Sequence, residues 1–289
     1  MKYNDQAQLD PSQMGGGGGR RSGGMAVGGG AGVVVLLIAL LFGVNPGDIL
    51  GGTAQEPEPT STGQPFAQCT RGAAIDQDRD CRFVAYTNSI QAYWSGAVEN
   101  YQEIKVIPFT GSVDTACGNA TSAVGPFYCP GDQQVYLDIA FFDQLITQLG
   151  AKGGDAAEAY VFAHEFGHHI QNLTGTMRRV QGSSSGQDTG PKSGQVRLEL
   201  QADCYAGVWF NHATKDPNSP ITEITSDDLA RAVDAAAAVG DDRIQEKTQG
   251  QVTEETWTHG SAAMREKWFL TGFEKGSLDA CDTFAATKV

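Results

Sequence analysis

The 289-residue chain is predicted to have an α+β fold, mainly helical with a small sheet, preceded by one transmembrane helix. Three observations predict this fold. One uncharged apolar run lies near the N terminus, several later segments repeat apolar residues at helical spacing, and two short segments have the pattern of strands. The chain therefore divides into an N-terminal membrane region and one globular region.

The N-terminal region divides further by composition. Residues 1–24 are polar and glycine-rich, which predicts a disordered tail. Residues 25–46 carry no charge and reach the ~20 residues that cross a bilayer. Arg20 and Arg21 precede this run, so the positive-inside rule predicts a cytoplasmic N terminus, a single-pass location in the cell membrane and an extracytoplasmic globular region. Residues 47–66, rich in Pro, Gly, Thr and Glu, are predicted to form a flexible linker.

A cleaved signal peptide is the alternative interpretation of the apolar run, with residues 52–54 as a weak cleavage site. The globular region is exported in both cases. The cysteines agree with export, because all six follow the apolar run and an even number is typical of disulfides. Many pairings are possible. The simplest set joins the sequence neighbours Cys69–Cys81 and Cys117–Cys129, which leaves Cys204 with Cys281.

The globular region, residues 67–289, is long enough to bury one sizeable core. Its predicted strands are Ile104–Phe109 and Gln133–Asp138, and a loop with a cysteine-pinned hairpin is predicted between them. Helical spacing of apolar residues predicts helices over Asp80–Asn100, Ile139–Leu149, Ala156–Leu173, Arg197–Trp209, Ser226–Val239 and Ser261–Gly276. The formal net charge of −14 lies in the region after residue 50, so the chain offers no basic surface for nucleic acid.

The most informative segment is His164-Glu165-Phe166-Gly167-His168, inside a predicted helix. Residues four positions apart lie one turn apart on the same helix face, so the imidazoles of His164 and His168 can reach one metal ion. Glu165 then lies beside the metal, where a carboxylate can act as a general base. This spacing predicts a Zn²⁺ site.

A third ligand is needed to complete such a site. The longer pattern H-E-x-x-H-x-x-G-x-x-H is excluded, because Gln171 and Thr174 stand where it requires glycine and histidine. A later predicted helix carries Glu199 and Asp203 four residues apart. Glu199 would complete a His₂Glu site and leave the fourth position for water. Asp203 would accept the free ring N–H of a ligand histidine, predicted to be His164.

These two motifs resemble those of the gluzincin peptidases, in which H-E-x-x-H is followed by E-x-x-x-D on a later helix. Over residues 64–289 the chain also resembles the bacterial putative neutral zinc metallopeptidase family. The segments that carry this resemblance are Ala116–Asn119, Gly125–Pro130, Val135–Asp138, Ala163–Gln171, Arg197–Cys204, Gly240–Gln245, Trp257–Gly260 and Cys281–Phe284. The resemblance implies a zincin-like metallopeptidase domain, a zinc cofactor and a protein or peptide substrate.

A zincin arrangement also suggests roles for residues outside the motifs. Val135–Asp138 is predicted to be the edge strand that pairs with extended substrate, although an ordinary core strand is the alternative. A tetrahedral oxyanion needs a donor besides the metal. His259 is the predicted donor, with Tyr136 and Arg243 as weaker candidates. His169, next to the motif, is predicted to be structural.

Two functions are consistent with these patterns. The first is a membrane-anchored, zinc-dependent metallopeptidase that acts as an endopeptidase on extracytoplasmic proteins or peptides. The alternative is a catalytically inactive, zinc-stabilised extracytoplasmic module for binding or assembly. Glu165 favours the enzyme, because a structural zinc site needs no base beside the metal and is more often closed by four protein ligands.

Overall fold

The computed structural model describes residues 1–16, 66–182 and 189–289. Within these ranges the structure has eight α-helices and a small three-stranded sheet, as the mainly helical α+β prediction requires. The helices are α1 (Arg79–Ala97), α2 (Ala140–Thr147), α3 (Asp155–Leu173), α4 (Thr176–Gly182), α5 (Gly194–His212), α6 (Ser226–Ala238), α7 (Asp241–Gln249) and α8 (Ala262–Lys275). The strands are β1 (Lys2–Tyr3), β2 (Val106–Phe109), β3 (Ser112–Thr115), β4 (Gly118–Thr121), β5 (Phe127–Cys129), β6 (Gln134–Asp138) and β7 (Ile221–Glu223).

Local sequence sets several of the helix ends. The Ser193 side chain accepts a hydrogen bond from the Val196 amide at the start of α5. Thr225 and Asp228 form a reciprocal capping box that begins α6. Helix α8 ends at Gly276, which has a left-handed backbone that a residue without a Cβ adopts at little cost. These signals act within a few residues, so they do not depend on the rest of the fold.

The centre of the domain is α3, which is buried along most of its length. A helix that is buried on all sides belongs in the core and needs apolar neighbours all round. Aromatic rings supply part of this packing, because Phe162 of α3 lies 5.2 Å from Phe83 and 5.5 Å from Tyr86 of α1, centroid to centroid. The core therefore forms around the helix that carries the two motif histidines.

Helices α5 and α8 touch backbone to backbone, and two glycines make this possible. A Cβ at Gly207 would overlap the carbonyl oxygen of Phe269, and one at Gly272 would overlap the carbonyl oxygen of Cys204. Any larger residue at either position would force the helices apart. The close approach fixes α8 against the helix that carries Glu199.

The three-stranded sheet has the order β2-β6-β5, with β2 parallel and β5 antiparallel to β6. The prediction that Val135–Asp138 forms an edge strand is therefore wrong, because β6 is the central strand. Its residues 135–138 are all buried, as expected of a strand with neighbours on both sides. Strands β3 and β4 form a separate hairpin, and the Cys117–Cys129 bond ties it to β5.

Residues 1–16 are ordered, which differs from the predicted disordered tail. Strand β1 pairs with β7, and the Tyr3 hydroxyl donates a hydrogen bond to Asp155 at the start of α3. Further on, the Gly15 amide donates to the carbonyl of Val106, the first residue of β2. Leu9 and other apolar side chains of this segment are buried in the core. The glycine-rich composition that predicted disorder begins only at residue 15, and the preceding residues carry their own apolar side chains.

The predicted membrane topology requires correction. Among the helices of the described residues, none has the length and apolar character to cross a membrane. The predicted transmembrane segment 25–46 and most of the predicted linker 47–66 lie outside the described residues. Residues 1–16 also pack against the domain, which a cytoplasmic N terminus and an extracytoplasmic domain do not allow. The described residues therefore correct the predicted fold class and the predicted single-pass location in the cell membrane, because they show an α+β domain without a membrane-spanning helix.

Three disulfides link the cysteines in the predicted pairs. Cys69–Cys81 and Cys117–Cys129 each span 12 residues, and Cys204–Cys281 spans 77. The long-range bond connects α5 to the segment that follows α8. Because it closes by far the longest loop, it restricts the unfolded chain most.

Replacing Cys204 and Cys281 together with alanine should lower the free energy of unfolding by about 4.5 kcal/mol, from the loop entropy alone. The matched variant without Cys117–Cys129 should lose about 3 kcal/mol, since its loop is shorter. Denaturant unfolding of the full chain measures both values. A larger loss for the short loop would contradict this account.

Candidate metal centre

Helices α3 and α5 bring the three predicted metal ligands together. Nε2 of His164 lies 3.2 Å from Oε2 of Glu199, and Nε2 of His168 lies 3.6 Å from its Oε1. One donor atom from each residue lies within 4.8 Å of the others. The predicted His₂Glu set is thus one cluster, built from one turn of α3 and one residue of α5.

Gly167, inside the motif, sets how closely α3 and α5 approach. A Cβ at this position would lie 2.9 Å from both the Cα and the carbonyl oxygen of Ala202. Real Cβ atoms essentially never come that close to backbone atoms. The absent side chain lets α5 lie directly against α3, and this contact places Glu199 within reach of the two histidines.

The burial of Glu199 indicates that the cluster is built for a cation. Glu199 is only 1% exposed, and among the described residues its Oε2 has no well-aligned hydrogen-bond donor, although Nε2 of His164 lies 3.2 Å away. A buried carboxylate is costly unless a positive charge lies beside it. Histidine nitrogen and carboxylate oxygen are ligands that zinc prefers, so the donor set fits Zn²⁺.

Asp203 occupies the predicted position behind His164. Its Oδ1 lies 2.9 Å from Nδ1 of the ring and accepts a hydrogen bond from the Tyr160 hydroxyl at 2.6 Å. Arg265 of α8 donates to both carboxylate oxygens, at 2.8 and 3.0 Å. Burial alone would raise the pKa of Asp203, but the guanidinium and the His164 ring lower it. The ionised carboxylate accepts Nδ1–H and leaves Nε2 for a metal ion.

Tyr160 and Arg265 were not found by sequence reasoning. Tyr160 lies one turn before His164 on α3, so helical spacing could have identified it as a neighbour. Arg265 lies on a helix more than sixty residues away from Asp203, and nothing in its local sequence marks it as buried. Its 2% exposure appears only once α8 packs against α5.

The electrostatics of His164 follow from these neighbours. Burial favours the neutral ring, but the Asp203 and Glu199 carboxylates outweigh it and raise the pKa of His164 to about 10. A positive charge at this ring is therefore strongly stabilised. Since Nδ1 is engaged with Asp203, Nε2 is the atom at which a proton or a metal ion is held.

Glu165 lies beside the cluster with a free carboxylate oxygen. The residue is 6% exposed, and its Oε2 has no hydrogen-bond partner among the described residues. Burial raises the pKa of Glu165, although the rings of His164 and His168 oppose the shift. A carboxylate with a raised pKa exchanges protons nearer to neutral pH than an exposed one.

His259 approaches the cluster from the turn before α8. Its Nε2 lies 3.8 Å from Oε2 of Glu199, and it is not one of the three clustered ligands. Burial lowers the pKa of His259 against the opposing effect of Glu199 and Asp241, which favours a neutral ring with one N–H. The buried Asp241 holds this turn, because one carboxylate oxygen accepts the amides of residues 258–260 at 2.7 to 2.9 Å.

His169 and the two weaker donor candidates, Tyr136 and Arg243, lie outside the cluster. Nδ1 of His169 lies 3.1 Å from the Tyr128 hydroxyl and Nε2 lies 2.8 Å from the Gln102 carbonyl, so the ring is engaged away from the cluster. The Tyr136 hydroxyl donates to Asp132. Neither Tyr136 nor Arg243 lines the cleft that contains the cluster.

This cleft is mainly apolar apart from the cluster and its immediate partners. Its apolar side chains come from the loop before β5, from α2 and the residues that follow it, from α3, and from α7 and the turn before it. The apolar lining residues are Val124, Pro126, Phe141, Leu149, Val161, Val239 and Ile244. Such a lining lets apolar groups of a ligand lie next to the polar cluster.

A His₂Glu set with an adjacent free carboxylate, on two packed helices beside an apolar cleft, has the residue types of the catalytic zinc sites found in hydrolases. The chain belongs to the family described as "Putative neutral zinc metallopeptidase", whose model matches residues 3–284. The match begins within β1, so the N-terminal segment that packs on the domain is part of the family's sequence pattern.

Relatives from two bacterial groups are similar along most of the chain. A protein of Mycobacterium tuberculosis, named "Uncharacterized protein Rv2575", is 47% identical over 257 residues, which cover 86% of this chain and 85% of the relative. "Uncharacterized protein YpfJ" of Escherichia coli is 39% identical over 233 residues, 77% of this chain and 78% of the relative. No solved structure matches the chain.

Replacing Gly167 with alanine should weaken both zinc binding and folding, because the new Cβ pushes α5 away from the two histidines. Overpacking of this kind costs about 1–3 kcal/mol of folding free energy. Gly96 of α1 is the matched control, since a Cβ there would meet nothing within 4 Å. Zinc competition titration and denaturant unfolding measure the two effects. Equal behaviour of the two alanine variants would show that the close approach at Gly167 is unimportant.

Proposed function

We propose that the protein is a zinc-dependent metallopeptidase that hydrolyses peptide bonds in protein or peptide substrates. The observation that carries this proposal is the carboxylate of Glu165. It is buried and has a free oxygen, and it lines the same cleft as His164, His168 and Glu199. A zinc site that served only to stabilise the fold would need no such group.

Each residue of the cluster has a distinct part in the proposed reaction. His164, His168 and Glu199 would hold the zinc ion. When bound, zinc supplies Lewis-acid polarisation of a carbonyl group and makes water more acidic. Glu165 takes a proton from the attacking water and delivers it to the leaving amine. The free Oε2 and the raised pKa of Glu165 support this role, because the carboxylate must accept a proton and then release it.

His259 is the proposed donor to the oxyanion that forms as water attacks. Its neutral ring can donate from Nε2 into the cleft while Nδ1 lies 2.9 Å from the Thr258 hydroxyl. The three amides held by Asp241 keep the turn rigid, so the donor is already oriented. Preorganised donors of this kind stabilise charge that develops only in the transition state.

The first test is peptide cleavage by the full zinc-loaded chain, with a diverse peptide mixture and mass spectrometry. The matched control is Glu165→Gln, which keeps the size of the side chain and removes the base. We expect new termini only with the wild type, while both proteins bind one zinc ion. Cleavage within peptides, away from both ends, would identify an endopeptidase.

Two other results would count against the enzyme. Equal cleavage by both proteins would show that Glu165 is not the base or that a contaminant cuts the peptides. Absence of cleavage while both bind zinc would favour the zinc-stabilised module for binding or assembly.

Replacing His259 with alanine should lower kcat about 10²–10³-fold without loss of zinc, because the oxyanion loses a donor while the metal ligands remain. His212→Ala is the control: this ring hydrogen-bonds the Gly276 carbonyl, stacks on Tyr93 and does not line the cleft. Steady-state kinetics on a peptide found in the first test, with zinc content measured in parallel, give the result. Near-wild-type kcat in His259→Ala would remove this residue from the mechanism.

A further inference from the structure

We propose that Gln171 and Gln201 are positioning residues for the predicted zinc ligand His168. Their side-chain amides form a chain of hydrogen bonds that runs from the backbone carbonyl of Cys281 to Nδ1 of His168. The chain determines which ring nitrogen carries hydrogen and therefore which one faces the metal. This inference rests on the proposed zinc site and not on peptide hydrolysis.

The end of the hydrogen-bond chain at Cys281 determines which atoms donate and which accept along it. The carbonyl oxygen of Cys281 can only accept, so the group 3.0 Å from it must be the Nε2 amide of Gln201. The Oε1 atom of the same amide then points the other way and accepts from Nε2 of Gln171 at 3.2 Å. The orientation of Gln201 is thus determined by a backbone acceptor.

The second amide is oriented in the same way. Nε2 of Gln171 also donates to the backbone carbonyl of Leu198 at 2.7 Å. With both of its donors engaged, the amide presents Oε1 to Nδ1 of His168 at 2.9 Å. An amide oxygen can only accept, so Nδ1 carries the hydrogen and the lone pair on Nε2 faces Glu199.

Because its members are buried, this chain of hydrogen bonds determines which nitrogen of the His168 ring carries hydrogen. Gln171 is fully buried, and His168 and Gln201 are 2% and 5% exposed. Water does not replace an amide partner easily in such a place, so loss of a partner leaves an unpaired polar group. The two ligand histidines are held differently: His164 has a charged carboxylate behind it, and His168 has a neutral amide chain.

Cys281, whose carbonyl ends the hydrogen-bond chain, is bonded covalently to α5. Cys281 forms the disulfide with Cys204, one residue after Asp203. The Thr283 hydroxyl also donates to the carbonyl of Arg197 at 2.7 Å, which holds the following residues against the same helix. The carbonyl of Cys281 is therefore fixed relative to Glu199, and the chain transmits that fixed position to His168.

Zinc affinity of the full chain, measured by competition with a chelator, tests the inference. In Gln171→Leu the ring loses its acceptor, and loss of such a partner weakens metal binding about 10–100-fold. Gln171→Glu keeps an acceptor oxygen toward Nδ1 whether or not it is protonated. We expect this variant to retain zinc affinity within about tenfold of the wild type.

The Glu variant separates positioning from a merely structural role. Both substitutions disturb the contact with Leu198, so both should lower the free energy of unfolding, yet only the Leu variant should bind zinc weakly. Equal loss of zinc affinity in the Leu and Glu variants would overturn the proposal. So would an unchanged affinity in Gln171→Leu.

Gln201→Leu tests the more distant member, which does not touch His168. We expect zinc affinity to fall about tenfold, the lower end of the range for outer partners. Gln91→Leu is the control, since Gln91 is fully buried and its side chain accepts from the Ile104 amide and the Tyr101 hydroxyl, neither of which belongs to the cluster. Unchanged affinity in Gln201→Leu, or an equal fall in Gln91→Leu, would contradict the role of Gln201.

Failure of the proposed peptidase function and failure of the positioning role would give different results. A wild-type chain that binds zinc but cuts no peptide would leave the positioning role intact while the peptidase proposal failed. A wild-type chain that binds no zinc would overturn both.

Discussion

The burial of one carboxylate, Glu199, between two imidazoles is the constraint on which the rest of the site depends. An ionised carboxylate in the core requires positive charge nearby, and the rings of His164 and His168 lie within 3.2 and 3.6 Å of it. Two helices must touch to achieve this, and Gly167 permits that contact. Packing of α5 against α3 in the core therefore also brings the three candidate metal ligands together.

A second set of polar side chains holds these groups in place, and each member is itself held. Asp203 orients His164 and is paired with Arg265 of α8, while the glutamine chain orients His168 from the segment after α8. The turn with His259 is held by Asp241. Three different elements thus support a site whose ligands come from only two helices. The close packing of α8 on α5, at Gly207 and Gly272, is what places Arg265 against Asp203.

Much of the site could be predicted, because helical spacing is a local property. Residues i and i+4 share a helix face, so His164 with His168, and Glu199 with Asp203, could be read directly as pairs. The positions of the main helices followed from the same periodicity. Strand order could not be read in this way: Val135–Asp138 has the alternation of a strand, but only the partners on both sides show that it is central.

The composition predicted a disordered N terminus because of its glycine run, although residues 1–14 include side chains that are buried in the core. The predicted membrane topology was wrong for a related reason. Hydropathy describes one segment at a time and does not report that β1 pairs with β7, far along the chain.

The sequence by itself predicted the pairs His164/His168 and Glu199/Asp203, the candidate base Glu165 and the helices that carry them, because each depends on residues a few positions apart. Only the tertiary structure decided which distant groups meet them: Arg265 behind Asp203, Asp241 beneath His259, and Gln201 between Gln171 and Cys281. These contacts join residues that are distant in the chain, and they exist only after burial excludes water and makes each unpaired polar atom costly.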